Sequence, residues 1–183
     1  MGITLAGADG IVEPADGPFQ VGFTITPETD FTFSDENTLT PLSGTIEHTG
    51  SVTLALDTLE PDLTVGDFTI GFDADRVSEA SSGFFVQDNL SLNAILFDIT
   101  APPSTVALDE DTLQLGSDLA ISEEFAAVLA TVDKPNLAGA VVGSAQIDAD
   151  LAAESASVPE PGTAVALLLT SGAAIAQRVS RRV

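Results

Sequence analysis

The sequence predicts an all-β fold, an antiparallel β-sandwich with one short helix, followed by a hydrophobic helix at the C-terminus. Three observations predict it. Apolar and polar residues alternate in many short runs, and turn-forming residues separate those runs at the roughly 8- to 12-residue spacing typical of sandwiches and barrels. Apolar residues at helical spacing stand out in a single segment of the body.

The strands are predicted from period-two alternation. Val52, Leu54 and Leu56 alternate with smaller or more polar residues, so one face of this run can be buried. Residues 92–99 are apolar on both faces, which indicates a strand in the middle of a sheet. The other predicted strands span residues 19–25, 68–72, 105–108, 112–115 and 146–151.

One helix is predicted after the last of the central strands. Ser122 can cap its N-terminus, and Glu123 and Glu124 suit the positive end of the helix dipole. Three apolar residues follow at helical spacing, namely Phe125, Val128 and Leu129.

The composition limits the chemistry. The 183 residues include 28 acidic and only 5 basic side chains, for a formal net charge of −23. Such a charge repels nucleic acid, so no nucleic-acid partner is expected. The chain has no cysteine, which excludes disulfides, thiolate catalysis and cysteine-ligated metal centres.

The C-terminus carries a three-part pattern. A Pro-Glu-Pro motif comes first, an apolar run over residues 162–177 follows, and arginines end the chain. Arginine is costly inside a bilayer, so the pattern predicts a membrane helix with its basic end held on the cytoplasmic side. The motif residues are Val158, Pro159, Glu160 and Pro161, and the basic residues are Arg178, Arg181 and Arg182.

This pattern resembles the PEP-CTERM sorting signal of bacterial exported proteins. The resemblance implies processing near the motif by exosortase, a membrane-embedded cysteine transpeptidase. It also implies export, a transient anchor in the inner membrane, and then a place at the cell surface or outside the cell, with an exopolysaccharide matrix as a possible partner. The expected organisation is a body over residues 1–151, a linker over 152–158 and the signal over 159–183. We expect an export signal upstream of Met1.

The body is similar to the uncharacterised all-β bodies that precede PEP-CTERM tails. The similarity covers roughly residues 44–151 and rests on segments such as Gly66-Asp-Phe-Thr-Ile-Gly-Phe-Asp and Gly83-Phe-Phe-Val-Gln-Asp. It implies no activity.

No catalytic residues are predicted. His48 is the sole histidine, so a histidine-based zinc site is excluded, and its sequence context matches no Ser-His-Asp signature. We expect His48 to lie at the surface or in a cross-strand pair. A carboxylate-dependent glycoside hydrolase or carbohydrate-binding module remains an alternative, although the chain has no Trp or Tyr to stack on sugars.

Calcium is the ligand that the acidic residues suit best, because it binds carboxylate and carbonyl oxygens. Neither acidic cluster follows the EF-hand pattern, and acidic residues are common in turns. The candidate calcium ligands are Asp73, Asp75 and Glu79 in one cluster, and Asp109 and Asp111 in the other.

The sequence therefore predicts an exported, non-enzymatic surface or matrix protein of structural or adhesive type. The alternatives are an acidic calcium-binding matrix protein and the secreted hydrolase or sugar-binding module.

Overall fold

The computed structural model describes residues 3–14, 19–34, 39–56, 59–103, 105–109, 112–130, 136–152 and 179–181. Within them the chain is mostly β, with one short helix. The elements are β1 Ile3–Asp9, β2 Thr24–Ile25, β3 Thr32–Ser34, β4 Thr40–Ser43, β5 Ile46–Thr49, β6 Ser51–Leu56, β7 Leu59–Gly66, β8 Thr69–Val77, β9 Ser81–Gln87, β10 Ile95–Thr100, β11 Thr105–Leu108, β12 Thr112–Ile121, α1 Glu123–Ala130, β13 Val141–Ala152 and β14 Val179–Arg181.

The strands form two sheets. The smaller has the order β1-β6-β7, and the larger has the order β2-β5-β8-β9-β10-β12-β13-β14-β3-β4, with β11 paired to β12. Neighbours are antiparallel throughout, except that β14 runs parallel to both β13 and β3. The antiparallel prediction is thus confirmed for the body, and the parallel pairs involve the C-terminal strand.

Two apolar cores hold the sheets. The first lies within the larger sheet, where Phe33 of β3 joins the same cluster as Ile70 of β8 and Leu113 of β12, so this sheet curls on itself. The second brings Val65 of β7 together with Leu96 of β10 and with the helix. This second core fastens the small sheet to the large one, because it contains side chains from both.

The predicted helix is confirmed. Ser122 is buried, and its Oγ accepts a hydrogen bond from the Phe125 N–H at 3.0 Å while donating one to the Ile95 carbonyl at 2.6 Å. The first bond is the N-cap, and the second fixes the start of α1 to β10.

Arg76 of β8 also holds the helix in place. Its Nε donates to Asp98 of β10 at 2.8 Å, and its two terminal nitrogens bind the Glu124 carboxylate of α1 at 2.7 and 3.0 Å. Hydrogen bonds to Glu124 and Asp98 raise the pKa of Arg76 above its already high ordinary value, so the guanidinium stays charged.

Several strand predictions are confirmed. Alternation in β6 and β8 matches the observed strands, and the strand predicted to be central, β10, lies between β9 and β12. The prediction for residues 19–25 is wrong in length, since only Thr24 and Ile25 form a strand. Their partner β5 ends at Thr49, and after Gly50 the chain continues as β6, which pairs with β1 and β7 instead. Gly22 forms an isolated bridge with Val12.

The predicted membrane helix over residues 162–177 lies outside the described residues. Among those that the structure describes, no helix is long and apolar enough to cross a bilayer.

Candidate functional site

The first predicted calcium cluster lies at the end of β8 and in the turn that follows. Asp73, Asp75 and Glu79 are all exposed. The Asp73 carboxylate accepts a hydrogen bond from the Asp75 N–H at 2.9 Å, a local backbone contact typical of acidic residues near turns. Across the described part of the chain, no group of three acidic or histidine residues is arranged to hold a metal ion.

The second cluster belongs to the β11–β12 hairpin. Asp109 is exposed and closes the turn through its N–H, which donates to the Thr112 carbonyl at 2.9 Å. Asp111 lies outside the described residues. Calcium binding at either cluster therefore stays a prediction, with no ligand geometry behind it.

The sorting residues are placed only in part. Val158, Pro159, Glu160, Pro161, Arg178 and Arg182 lie outside the described residues. The backbone of Arg181 belongs to β14, where it pairs with Phe33 of β3.

A cavity of about 760 Å³ lies between the two sheets and opens to solvent. Its walls are mainly apolar and come from both sheets and from α1; examples are Val52 of β6, Phe68 before β8, Leu119 of β12 and Phe125 of α1. The volume falls within the range of about 300 to 1,000 Å³ that is usual for sites binding small molecules.

The free edge of β13 borders this cavity. Consecutive residues from Val142 to Asp148 line it, and since alternate side chains point to opposite faces, the strand edge itself must form part of the rim. Among the described strands, β13 pairs on this side only with β14, through Leu151 and Ala152.

His48 lines the cavity from β5, in a cross-strand pair with Ile25. The cross-strand prediction is therefore correct, and the side chain is half-buried. Its Nδ1 is buried and has no hydrogen-bond partner among the described residues. Burial lowers the pKa of His48, against the opposing effects of the Phe68 and Ile46 carbonyls and the Glu47 carboxylate, so the imidazole is neutral at pH 7.

Asp88 is the contrasting buried polar residue. Its side chain has no exposed surface and accepts hydrogen bonds from the N–H groups of Gly66, Leu90, Ser91 and Leu92 at 2.6 to 3.2 Å. Burial on its own would raise the pKa of Asp88, but these four bonds lower it below the ordinary value. Asp88 joins the end of β7 to the loop before β10.

Sequence reasoning missed both the cavity and the Asp88 contacts. One signal for the cavity was present, because Gly143 and Ala145 precede Ile147 and Ala149 at alternate positions of β13. Small residues on the inward face of a strand leave space that larger side chains would fill.

No protein-family model, curated protein or solved structure matches the chain.

Proposed function

We propose that the chain is an exported cell-surface or extracellular-matrix protein with a β-sandwich body and a C-terminal sorting signal. The observation that carries the proposal is the order of the tail: a Pro-Glu-Pro motif, an apolar run and then three of the chain's five basic residues within its last six positions. Exosortase is the proposed processing enzyme, and the tail serves as an address for it.

A structural or adhesive role rather than an enzymatic one is proposed for the body. His48 is the chain's sole histidine, and its Nδ1 contacts no serine, threonine or carboxylate oxygen among the described residues. In a Ser-His-Asp triad the Nδ1 atom binds the carboxylate that orients the imidazole, and His48 has no such contact among the described residues. The strongly acidic composition suits a protein that stays dispersed outside the cell.

The test is to replace Pro159, Glu160 and Pro161 together with alanine in the producing cells and to fractionate them. We expect the variant to accumulate in the membrane fraction at full length. The wild-type protein should instead be recovered outside the cell, with an intact mass that places its C-terminus near Val158.

The matched control replaces Ser155 and Ser157 with alanine, which alters the linker and leaves the motif intact. Its release should equal that of the wild type. Release of the motif variant at the wild-type level and mass would contradict the sorting proposal.

A further inference from the structure

We propose that the cavity between the sheets binds an apolar molecule that carries a hydroxyl group rather than an anionic one. This binding activity belongs to the body and does not depend on how the tail is processed. A space of about 760 Å³ that has apolar walls and opens to solvent has the size and lining of a site for a small molecule.

The walls favour an apolar ligand. Aromatic and aliphatic side chains from both sheets and the helix face the space, among them Phe23, Leu54, Phe97 and Ile121. In the apolar part of the wall, His48 is uncharged at pH 7 because burial lowers its pKa. A ligand that covers these side chains removes apolar surface from water, which stabilises the complex.

The charged and polar residues at the mouth of the cavity indicate which charge and which polar group a ligand can carry. Glu13 and Asp148 line the cavity and are exposed, so they lie at its mouth, and the exposed amides of Gln20 and Gln146 lie there too. Gln146 Nε2 donates to both oxygens of Asp148 at 3.1 Å. Carboxylates accept hydrogen bonds from a hydroxyl, whereas they repel an anion, and the net charge of −23 adds to that repulsion.

Gly143 shows that the space is a property of the sequence. A Cβ built on it would meet no atom within 4 Å, and its φ does not lie in the left-handed region that requires glycine. The backbone therefore has no need of glycine here, and the missing side chain leaves the cavity open.

The probe experiment uses the full chain and the neutral dye Nile red, displaced by 1-dodecanol or by dodecanoate. We expect 1-dodecanol to displace the dye at a concentration at least tenfold lower than dodecanoate, and n-dodecane to displace it less well than the alcohol. Equal displacement by the alcohol and the anion, or none by the alcohol, would overturn the proposal.

The variant Gly143→Phe fills the cavity from β13 and should weaken dodecanol binding at least tenfold without lowering Tm. Ala127→Phe adds the same ring on the exposed face of α1 and should bind as the wild type does. If Gly143→Phe lowers Tm, Ala145→Leu replaces it, with the same expected loss of binding. Unchanged binding in the folded cavity-filling variant would contradict the proposal.

A third variant distinguishes another occupant, the chain's own apolar run. Leu167→Asp combined with Leu168→Asp makes that run polar. We expect the same affinity for dodecanol as in the wild type. Binding that occurs only in this variant would show that the run competes for the cavity, and would overturn the proposal for the intact chain.

Discussion

Asp88 and His48 are both polar side chains in apolar surroundings, and they differ in their partners. Four backbone N–H groups donate to Asp88, so its charge is stabilised by the fold. The Nδ1 atom of His48 is buried without a partner among the described residues, and the imidazole responds by losing affinity for a proton. The difference indicates that Asp88 holds the fold together, whereas His48 lies where packing is incomplete, beside the cavity.

The largest expected effect on stability comes from removing the Asp88 carboxylate, which accepts four backbone hydrogen bonds. Asp88→Ala leaves four N–H groups without their acceptor, and we expect the free energy of unfolding to fall by about 3 kcal/mol or more. Urea denaturation at pH 7 measures the change. Asp88→Asn keeps one acceptor oxygen and should lose less.

The dependence of stability on acidic pH tests the charge of the same carboxylate, that of Asp88. The folded pKa of Asp88 lies below its unfolded value of about 3.9, so its contribution is present above that pH and is lost as the pH falls through the folded pKa. The stability difference between the wild type and Asp88→Asn should therefore narrow below about pH 3.9. A difference that stays constant from pH 7 to pH 2.5 would mean that the charge of Asp88 contributes nothing.

Arg76 is a third charged side chain for this comparison; it is partly exposed and is paired with two carboxylates. Its side chain is 18% exposed and binds carboxylates on β10 and α1. Arg76→Met should lower the free energy of unfolding by about 1.5 to 3 kcal/mol, because Asp98 and Glu124 both lose a charged donor. Arg76→Lys keeps the charge but cannot bind Glu124 through two nitrogens, so it should recover only part of the loss; full recovery would show that charge alone matters.

Ser122 is a buried hydroxyl with two bonds. Ser122→Ala removes the N-cap of α1 and should cost about 1 kcal/mol. The control Ser144→Ala changes an exposed serine whose Oγ donates to Asp118 and should be near neutral. Thermal unfolding measured by circular dichroism compares the two, and equal Tm values would contradict a capping role.

Replacing His48 should give the smallest change in the free energy of unfolding, and the change should be a gain in stability. His48→Phe removes the unpaired nitrogen, and we expect a gain of up to about 1 kcal/mol at pH 7 after some loss from the larger ring. Because the folded pKa of His48 is lowered, the wild type should lose stability as the pH falls from about 6.5 towards the folded pKa, and the variant should lack that component. Identical pH profiles between pH 7 and 5 would contradict the burial of a neutral imidazole.

Sequence patterns correctly predicted the helix and strands whose signals are contained within a few neighbouring residues. Ser122 caps the helix that its neighbours complete, and alternation located β6 and β8. The strand predicted over residues 19–25 is too long because its length depends on where β5 ends and on the pairing of β6 with β1 and β7, and its own alternation reveals neither.

The candidate site depended still more on distant residues. Asp88 bonds to Gly66, which lies 22 positions earlier in the chain, and no pattern near Asp88 indicates that contact. The cavity needs two sheets and a helix to come together, so only the small residues Gly143 and Ala145 gave a sign of it. The C-terminal tail differs from the cavity, because its proposed role rests on the order of consecutive residues alone.

The free edge of β13 has a consequence for how molecules of this protein meet in solution. From Val141 to Asp150 it pairs with no described strand on the side away from β12, and an open edge of this kind is a template for joining a second molecule. At low ionic strength the acidic surface, with Asp148 and Asp150 beside this edge, keeps neighbours apart. At about 1 M salt, where charges are screened within about 3 Å, we expect light scattering to show reversible oligomers. Ionic strength would then switch the protein between a dispersed and an assembled form.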